Sequence, residues 1–463
     1  MQDPHITHHG AHLGVTGSCH QLHLAHGRSL LIDCGSYQGA EQSFEEAFAF
    51  DARQVVALVI THVHLDHVGR IPQLFAAGFS GPILCSEPSA RLLPLMLEDA
   101  WKLAYGADPQ RLARFLALLA ERVVPLRFGA HHEVSEGGLW LARLRFERAG
   151  HVLGSAWVEC ELGLGAPGEG KRVLFSGDLG AGDSPLVRPP ALPGPADTLV
   201  LESTYGDRLH TCRAERQRAL EVAIEQALAD QGTLLIPSFS LGRAQELLFE
   251  LSQILQCKSL VAQGSGAHPL NWPQLPVILD SPLASRITQA YRDLQAYWPE
   301  QSQEGQALQF PQMITLDNHE QHVHVVNYLA STVRPAIVIA GNGMCSGGRI
   351  VNYLKRMLPD PRHNVLFTGY QAKGTPGALL QAAEGAEGFI AVDLDGERLT
   401  VRARVQTISG YSAHADQAGL VAFAQAVGPE LRRVRLVHGE ARAKTALTRC
   451  LREGLADEVV IEY

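Results

Sequence analysis

The sequence lacks the features that would assign it to several large classes of protein. Its eight cysteines lie far apart in 463 residues and include no Cys-x-x-Cys pair, so nothing indicates a zinc ribbon or a redox site. The net charge of −9 excludes the positive field of a protein that coats nucleic acid. No apolar run approaches the roughly 18 residues of a membrane-spanning helix, and the N-terminus lacks a signal-peptide pattern. We therefore expect a cytoplasmic protein with reduced cysteines and no membrane contact.

The apolar pattern predicts an α/β protein of two or three domains, because 463 residues exceed one ordinary core. Short buried strands are expected at 29–32, 55–60, 82–85, 172–175 and 198–201, and a helical hairpin within 90–124. Strand-like and helix-like segments then alternate at 233–236, 243–255, 277–280, 283–298, 336–340, 349–358, 364–367 and 375–383. This alternation is typical of βαβ units and a parallel sheet. A Rossmann-like segment is thus inserted into a larger α/β domain, with an alternating return at 389–408 and a last strand at 434–437.

Residues 61–69 read THVHLDHVG and point to a metal site. His62 and His64 follow an apolar strand, while Asp66 and His67 turn toward a helix, so four ligands converge within six residues. Imidazole and carboxylate groups suit zinc, and two ions need further ligands. The candidates, each after an apolar strand or in a tight turn, are His151, Asp178 and His438. Asp33 either caps a turn or holds the far nitrogen of a ligating histidine, and the family resemblance given in the next paragraph favours the second role.

Taken in chain order, these motifs resemble those of the β-CASP metallo-β-lactamase nucleases. The matching stretches are Asp33, THVHLDH, His151, Asp178, ESTYGD (202–207), YSAHAD (411–416) and LVHGE (436–440), supported by PSFSLGRAQELL (237–248), DSPLA (280–284), GNGMCSGGRI (341–350) and GYQAKGT (369–375). The resemblance implies a metallo-β-lactamase αββα sandwich with an inserted Rossmann-like β-CASP domain. We expect the sandwich to begin at 1–207, the inserted domain to span 208–385, and the sandwich to resume at 386–463.

The resemblance also implies roles for individual residues. One zinc ion is expected on His62, His64 and His151, a second on Asp66, His67 and His438, with Asp178 bridging them. Asp178, Glu202 and His414 are the implied catalytic residues, the last two paired beside the scissile phosphate. The RNA-processing branch of the family, unlike most of the DNA-processing branch, has a histidine at the position of His438. The expected activity is therefore RNA hydrolysis, endonucleolytic with 5′ exonuclease action left open, leaving 5′-phosphate and 3′-hydroxyl ends.

The glycine-rich stretch GNGMCSGGR lies between a predicted strand and a predicted helix. Its backbone amides can approach a phosphate, and the family uses this loop toward the RNA backbone. We therefore predict phosphate contacts at Gly343, Ser346, Gly347 and Arg349, against the alternative of an ordinary turn. Two departures from the family pattern stand out, namely the extra histidines His8, His9 and His12 and the sequence GTPGALL in place of an arginine-containing stretch.

Other functions remain open at this point. A DNA nuclease of the same superfamily is the nearest alternative, and a small-molecule hydrolase would explain the metal ligands but not the SAHAD motif. A regulatory relative without catalysis would normally lack some ligands, whereas Asp66, His67, His151, Asp178 and His438 are all present. The sequence leaves open which RNA is cut and whether the chain forms a homodimer.

Overall fold

A computed structural model describes the chain at residues 4–39, 41, 47–106, 108–163, 170–210, 213–265, 272–303, 308–369, 371–386, 388 and 390–463. The chain divides into two compact units, the first made of 1–209 and 413–463 and the second of 210–412. In the part that the structure describes, no helix is long and apolar enough to cross a membrane.

Both units contain β-strands. In chain order they are β1 (Ile6–Gly10), β2 (Cys19–His23), β3 (Ser29–Ile32), β4 (Val55–Val59), β5 (Ile83–Ser86), β6 (Val123–Leu126), β7 (His131–Glu136), β8 (Leu139–Arg148), β9 (Ala156–Leu162), β10 (Lys171–Phe175), β11 (Thr198–Glu202), β12 (Thr233–Pro237), β13 (Val277–Asp280), β14 (Met313–Thr315), β15 (Ala336–Ala340), β16 (Asn364–Phe367), β17 (Ile390–Leu394), β18 (Glu397–Val401), β19 (Arg404–Thr407), β20 (Arg433–Val437) and β21 (Val460–Glu462).

Helices lie between these strands and cover the sheets. They are α1 (Leu65–Val68), α2 (Ile71–Ala76), α3 (Glu87–Tyr105), α4 (Pro109–Arg122), α5 (Arg213–Ala229), α6 (Arg243–Ser265), α7 (Pro282–Asp293), α8 (His319–Ser331), α9 (Arg349–Met357), α10 (Pro376–Gln381), α11 (Gln417–Ala426) and α12 (Ala441–Gly454). The predicted hairpin at 90–124 is α3 and α4, which pack against each other; α4 begins at Pro109 after the Asp108 cap.

The first unit is a sandwich of two sheets. One sheet has the strand order β1-β2-β3-β4-β5-β6 and the other β21-β20-β11-β10-β9-β8-β7. Apolar side chains of both sheets, among them Leu30, Val59, Phe146 and Phe175, form one buried core. The opposite face of the second sheet packs against α11 and α12, while α3 contacts β5 and β6 of the first sheet. This is the predicted αββα arrangement.

The second unit contains a six-stranded sheet in the order β14-β13-β15-β12-β16-β19, in which every pair is parallel. Its strands are buried apolar runs, as expected for a parallel sheet with helices on its faces. The predicted strands 277–280, 336–340 and 364–367 coincide with β13, β15 and β16. The predicted Rossmann-like insertion is confirmed as a parallel α/β sheet.

The compact units differ from the predicted domain limits at one place. We assigned residues 386–463 to the return into the sandwich, but 386–412 group with the second unit. The physical reason is that β19 pairs in parallel with β16, while β17 and β18 form a separate antiparallel pair. The expected antiparallel return at 389–408 is thus a hairpin plus one parallel edge strand. The domain limits stay a prediction from the sequence.

Candidate metal centre and active site

The sandwich brings the candidate ligands together at the ends of neighbouring strands. His62 and His64 follow β4, which pairs in parallel with β3 and β5, and Asp66 and His67 lie on α1. Strands β11 and β20 are also parallel, and their register sets Glu202 opposite Val437, next to His438. Each parallel pair delivers its carboxyl ends to one edge, where sites of α/β sheets form.

One group of ligand atoms consists of three histidines. The Nε2 atom of His62 lies 3.0 Å from Nδ1 of His64, which lies 3.2 Å from Nε2 of His151. His62 and His151 are buried, and the three converging ring nitrogens could hold a metal ion.

A second group consists of Asp66, His67 and His438. The Nε2 atoms of His67 and His438 are 3.2 Å apart, and Nε2 of His438 is 3.4 Å from a carboxylate oxygen of Asp66. These three side chains could also hold a metal ion. The ligand sets implied by the family resemblance are thus brought together in the structure as two adjoining groups, and His62 and His67, one from each, also converge with Asp178.

Asp178 lies between the two groups with one oxygen toward each. Its Oδ2 is 3.6 Å from Nε2 of His62 and 3.7 Å from Nε2 of His151. Its Oδ1 is 3.4 Å from Nε2 of His67 and 3.7 Å from Nε2 of His438. Asp178 is 3% exposed, and Oδ1 has no hydrogen-bond partner among the described residues. A buried carboxylate oxygen left in this state is suited to a cation.

The far ring nitrogens show that the second group fits a metal. Nδ1 of His67 donates to Asp33 at 2.7 Å, and Asp33 also accepts from the backbone and hydroxyl of Thr61. Nδ1 of His438 donates to the hydroxyl of Thr204 at 3.0 Å, because that hydroxyl donates its own proton to the carbonyl of His438. With Nδ1 protonated in both rings, the neutral form of each ring would present the lone pair of its Nε2 atom, and these two Nε2 atoms face each other. A cation between the two Nε2 atoms would be coordinated by both lone pairs, so these residues fit a metal site.

The electrostatics of the side chains point the same way. Burial disfavours the charged form of His67, yet the carboxylates of Asp178 and Asp33 outweigh it and raise the pKa of His67 well above its usual range. Burial also opposes the charged form of Asp178, but His438, His67 and His62 hold its pKa well below normal. Burial lowers the pKa of His62 and of His151. The carboxylates thus favour positive charge at His67 and His438, while burial favours the neutral forms of His62 and His151, and a bound cation would supply that positive charge in place of the protons.

Beside Asp178 lies the pair formed by His414 and Glu202. Nδ1 of His414 is 3.1 and 3.2 Å from the two oxygens of Glu202 and 3.8 Å from Oδ2 of Asp178. Glu202 is held by the backbone amides of Leu179 and Thr204, at 2.7 and 3.3 Å. Burial opposes a charge on His414, but Glu202 and Asp178 raise its pKa to about 9. Nδ1 of His414 faces Glu202, and Nε2 lies on the opposite side of the ring.

The predicted phosphate contacts lie in the second unit, on the loop between β15 and α9. Arg349 donates from Nη1 to Asp280 at 2.5 Å and to the carbonyl of Leu316 at 2.9 Å, which holds this side chain inside its own unit. The amide of Asn342 lies 3.5 Å from the hydroxyl of Ser346. Gly348 has φ +74° at the start of α9, a conformation that favours glycine. Phosphate binding by Gly343, Ser346, Gly347 and Arg349 stays a prediction.

Sequence reasoning missed Thr61 and Thr204, whose hydroxyls orient the groups behind His67 and His438. Both lie inside quoted motifs, THVHLDH and ESTYGD, but no spacing rule shows that Thr204 reaches a ring 234 positions further along the chain. The extra histidines are not part of the candidate metal centre. Within the described residues, His8, His9 and His12 belong to no group of converging ligands. His8 instead meets His20 at 2.9 Å, and His9 meets Gln21 at 3.0 Å.

Comparison with known protein families agrees with this geometry. Residues 21–144 match the metallo-beta-lactamase superfamily, residues 244–380 the Beta-Casp domain, and residues 398–461 the Zn-dependent metallo-hydrolase RNA specificity domain. The matches are collinear with the sandwich, the inserted sheet and the segment that carries His414 and His438. Together with the ligand groups they establish that the chain needs a metal cofactor.

Individual relatives cover most of the chain. Ribonuclease TTHA0252 of Thermus thermophilus is 37% identical over 96% of this chain and 94% of its own length. The transcription termination factor FttA of Methanocaldococcus jannaschii is 29% identical over 89% of this chain, which spans 63% of that relative. FttA of Pyrococcus abyssi is 32% identical over 83% of this chain, which spans 57% of it. The chain therefore belongs to the β-CASP family of metal-dependent hydrolases with the metallo-β-lactamase fold.

Proposed function

We propose that this protein is a two-zinc ribonuclease that hydrolyses phosphodiester bonds and leaves 5′-phosphate and 3′-hydroxyl ends. The observation that carries the proposal is the position of Asp178, with one oxygen toward each histidine group and His414 at its side. His62, His64 and His151 would hold one ion, and Asp66, His67 and His438 the other, with Asp178 bridging. Imidazole and carboxylate ligands suit zinc in such sites.

When bound, two such ions supply Lewis-acid activation of water and stabilise charge on the phosphoryl oxygens. The chain's own residues do the rest. Glu202 holds Nδ1 of His414 and stabilises its protonated form, so that the opposite nitrogen can deliver a proton to the leaving ribose oxygen. Asp33 and Thr204 fix the ring orientation of His67 and His438. Asp178, Glu202 and His414 are thus the proposed catalytic residues.

RNA is the proposed substrate for two reasons. His438 is present, as in the RNA-processing branch of the family, and its Nε2 is part of the second ligand group. The most fully covered of the three relatives above is named as a ribonuclease, and the others as transcription termination factors. We include a cytoplasmic location in the proposal, which the absence of disulfides among the described cysteines supports. A homodimer is left open.

The test uses end-labelled RNA and DNA of equal sequence with zinc-loaded protein. We expect cleavage of RNA in preference to DNA, loss of cleavage on chelation, and recovery when zinc is restored. Fragment ladders from 5′ and 3′ labels distinguish internal cuts from trimming at the 5′ end, and ligation of the products reports 5′-phosphates. Preference for DNA would establish the alternative nuclease, and no cleavage of either polymer would contradict the proposal.

A further inference from the structure

Three adjacent parallel strands of the second unit end side by side and carry small polar residues into one crevice. The register sets Pro237 of β12 and Asp280 of β13 on either side of Ala340 of β15. Ser238, Ser281 and Gly341 therefore follow at neighbouring positions. In open α/β sheets, ligands bind in the crevice beyond these carboxyl ends.

An aromatic side chain lies exposed in this crevice. Phe239 follows β12 and is 43% exposed. A Cβ atom at Gly343 would lie 3.1 Å from both Cδ2 and Cε2 of the Phe239 ring. The absence of a side chain at Gly343 is thus what lets the ring lie against the glycine-rich loop.

The loop under the ring is held in place by several hydrogen bonds. Gln371 donates to the carbonyl of Gly343 at 3.0 Å, and the amide of Met344 donates to the side chain of Asn342 at 2.7 Å. The amide of Ile350 donates to the carbonyl of Gly341 at 2.8 Å, at the start of α9. Phe239 therefore rests on a fixed backbone surface.

Hydroxyl groups lie at the same strand ends as Phe239. The hydroxyls of Ser240 and Ser281 lie 3.1 Å apart, and a Cβ at Gly341 would lie 3.7 Å from the hydroxyl of Ser281. A protein partner that buried Phe239 would be expected to find apolar neighbours around it. An aromatic face bordered by hydroxyl and amide groups instead matches a nucleobase, which has an apolar face and a polar edge.

We propose that Phe239 is a stacking platform for one base of the single-stranded RNA substrate, with the base edge toward Ser240 and Ser281. This inference rests on the proposed function, since it takes RNA as the substrate. It names a base contact, which the predicted phosphate contacts of the loop do not supply.

The experiment compares Phe239→Ala, Phe239→Leu and Phe239→Trp in the full-length, zinc-loaded protein. Stacking of one base is worth a factor of about 5 to 150 in affinity on replacement by alanine. We expect KM for RNA to rise by such a factor in the Ala and Leu variants, with kcat nearly unchanged, and to stay near wild type in the Trp variant. Gly343→Ala should raise KM as well, because its Cβ displaces the ring.

Tyr328→Ala is the matched control, because Tyr328 is 41% exposed in the same unit but lies on α8. Its KM should stay within twofold of wild type. Stacking itself is read from RNA containing 2-aminopurine, whose fluorescence the His414→Ala protein should quench and the His414→Ala, Phe239→Ala protein should not. A wild-type KM in Phe239→Ala or Phe239→Leu, or unchanged quenching, overturns the inference. If the wild-type protein binds and quenches the RNA but does not cleave it, the proposed function fails and the stacking site stands.

Discussion

Replacement of Asp33 by asparagine should weaken one of the two metal sites without disturbing the backbone. Asp33 has φ +60°, a conformation that asparagine tolerates, and it is 1% exposed. Its two oxygens accept from the backbone amide and hydroxyl of Thr61 at 2.8 and 2.7 Å, and the second oxygen also accepts from His67 at 2.7 Å. An asparagine that keeps its oxygen on the Thr61 amide turns its NH₂ toward Nδ1 of His67. That nitrogen must then accept, so the proton moves to Nε2, the atom that faces His438.

The opposite orientation of the amide is no better, because its NH₂ would face the N–H of Thr61 and leave a buried donor unsatisfied. Loss of such a partner behind a metal ligand typically costs about 10- to 100-fold in metal affinity, or about 1.4 to 2.8 kcal/mol. Competition with a chromophoric chelator, followed by elemental analysis, should show one ion held as in wild type and one held more weakly. Asp51→Asn, an exposed helix cap, is the control. Two ions bound with wild-type affinity in Asp33→Asn would refute the tautomer argument.

Three further variants test other parts of the site and its surroundings. His414→Ala should keep both ions and lose about 10²- to 10⁴-fold in RNA cleavage, and joint loss of metal would contradict its role as a proton donor. Thr204→Val removes the acceptor for Nδ1 of His438 and should weaken metal binding, whereas Thr204→Ser should restore it; equal binding by both would count against the contact. Lys444 is 2% exposed, and burial lowers its pKa to about 8. Between pH 8 and the higher pKa that this lysine has in the unfolded chain, the unfolded chain binds more protons than the folded protein, so the free energy of unfolding rises with pH. Lys444→Met removes the cost of burying this charge together with the hydrogen bond that Nζ donates to the carbonyl of His12, so the free energy of unfolding relative to wild type should be higher at pH 7 than at pH 10, and a difference that stays constant with pH would disagree with the low pKa.

The second unit shows which strands the sequence predicts well. The segments 277–280, 336–340 and 364–367 are buried on both faces, so they are continuous apolar runs with sharp ends, and the structure has them at the same bounds. Strands β1 and β2 were not predicted because they read ITHHG and CHQLH, where histidines interrupt any alternation. They are recognisable only through the pairing of β1 with β2 and of β2 with β3, which no local pattern reveals.

The same distinction applies to the site. Residue types and their order were enough to select every side chain of the two ligand groups, since THVHLDH supplies four of them and the rest follow strands. The contacts that each of these side chains makes depend instead on the register of the paired strands. The reach of Thr204 to His438 follows from the pairing of β11 with β20, and the place of Asp178 beside them follows from the pairing of β10 with β11. Such contacts join positions far apart in sequence and leave no signal in spacing.

His151, Asp178 and His414 converge closely enough that they could also hold a metal ion. The hydrogen bonds of His414 indicate whether this histidine acts as a metal ligand. A histidine that binds a metal must offer a lone pair. The atom of His414 nearest to Asp178 is Nδ1. The two carboxylate oxygens of Glu202 lie 3.1 and 3.2 Å from this same Nδ1 atom. Glu202 is anchored by two backbone amides, so it cannot turn away without leaving them unpaired. The Nδ1 atom therefore carries a proton. A metal ion at that position would have to displace this proton, which the buried carboxylate of Glu202 holds. His67 is different, because there the carboxylate of Asp33 binds the nitrogen opposite to the metal-facing one. We therefore propose that the same His–carboxylate pairing gives a metal ligand at His67 and a proton donor at His414, according to which ring nitrogen faces the centre.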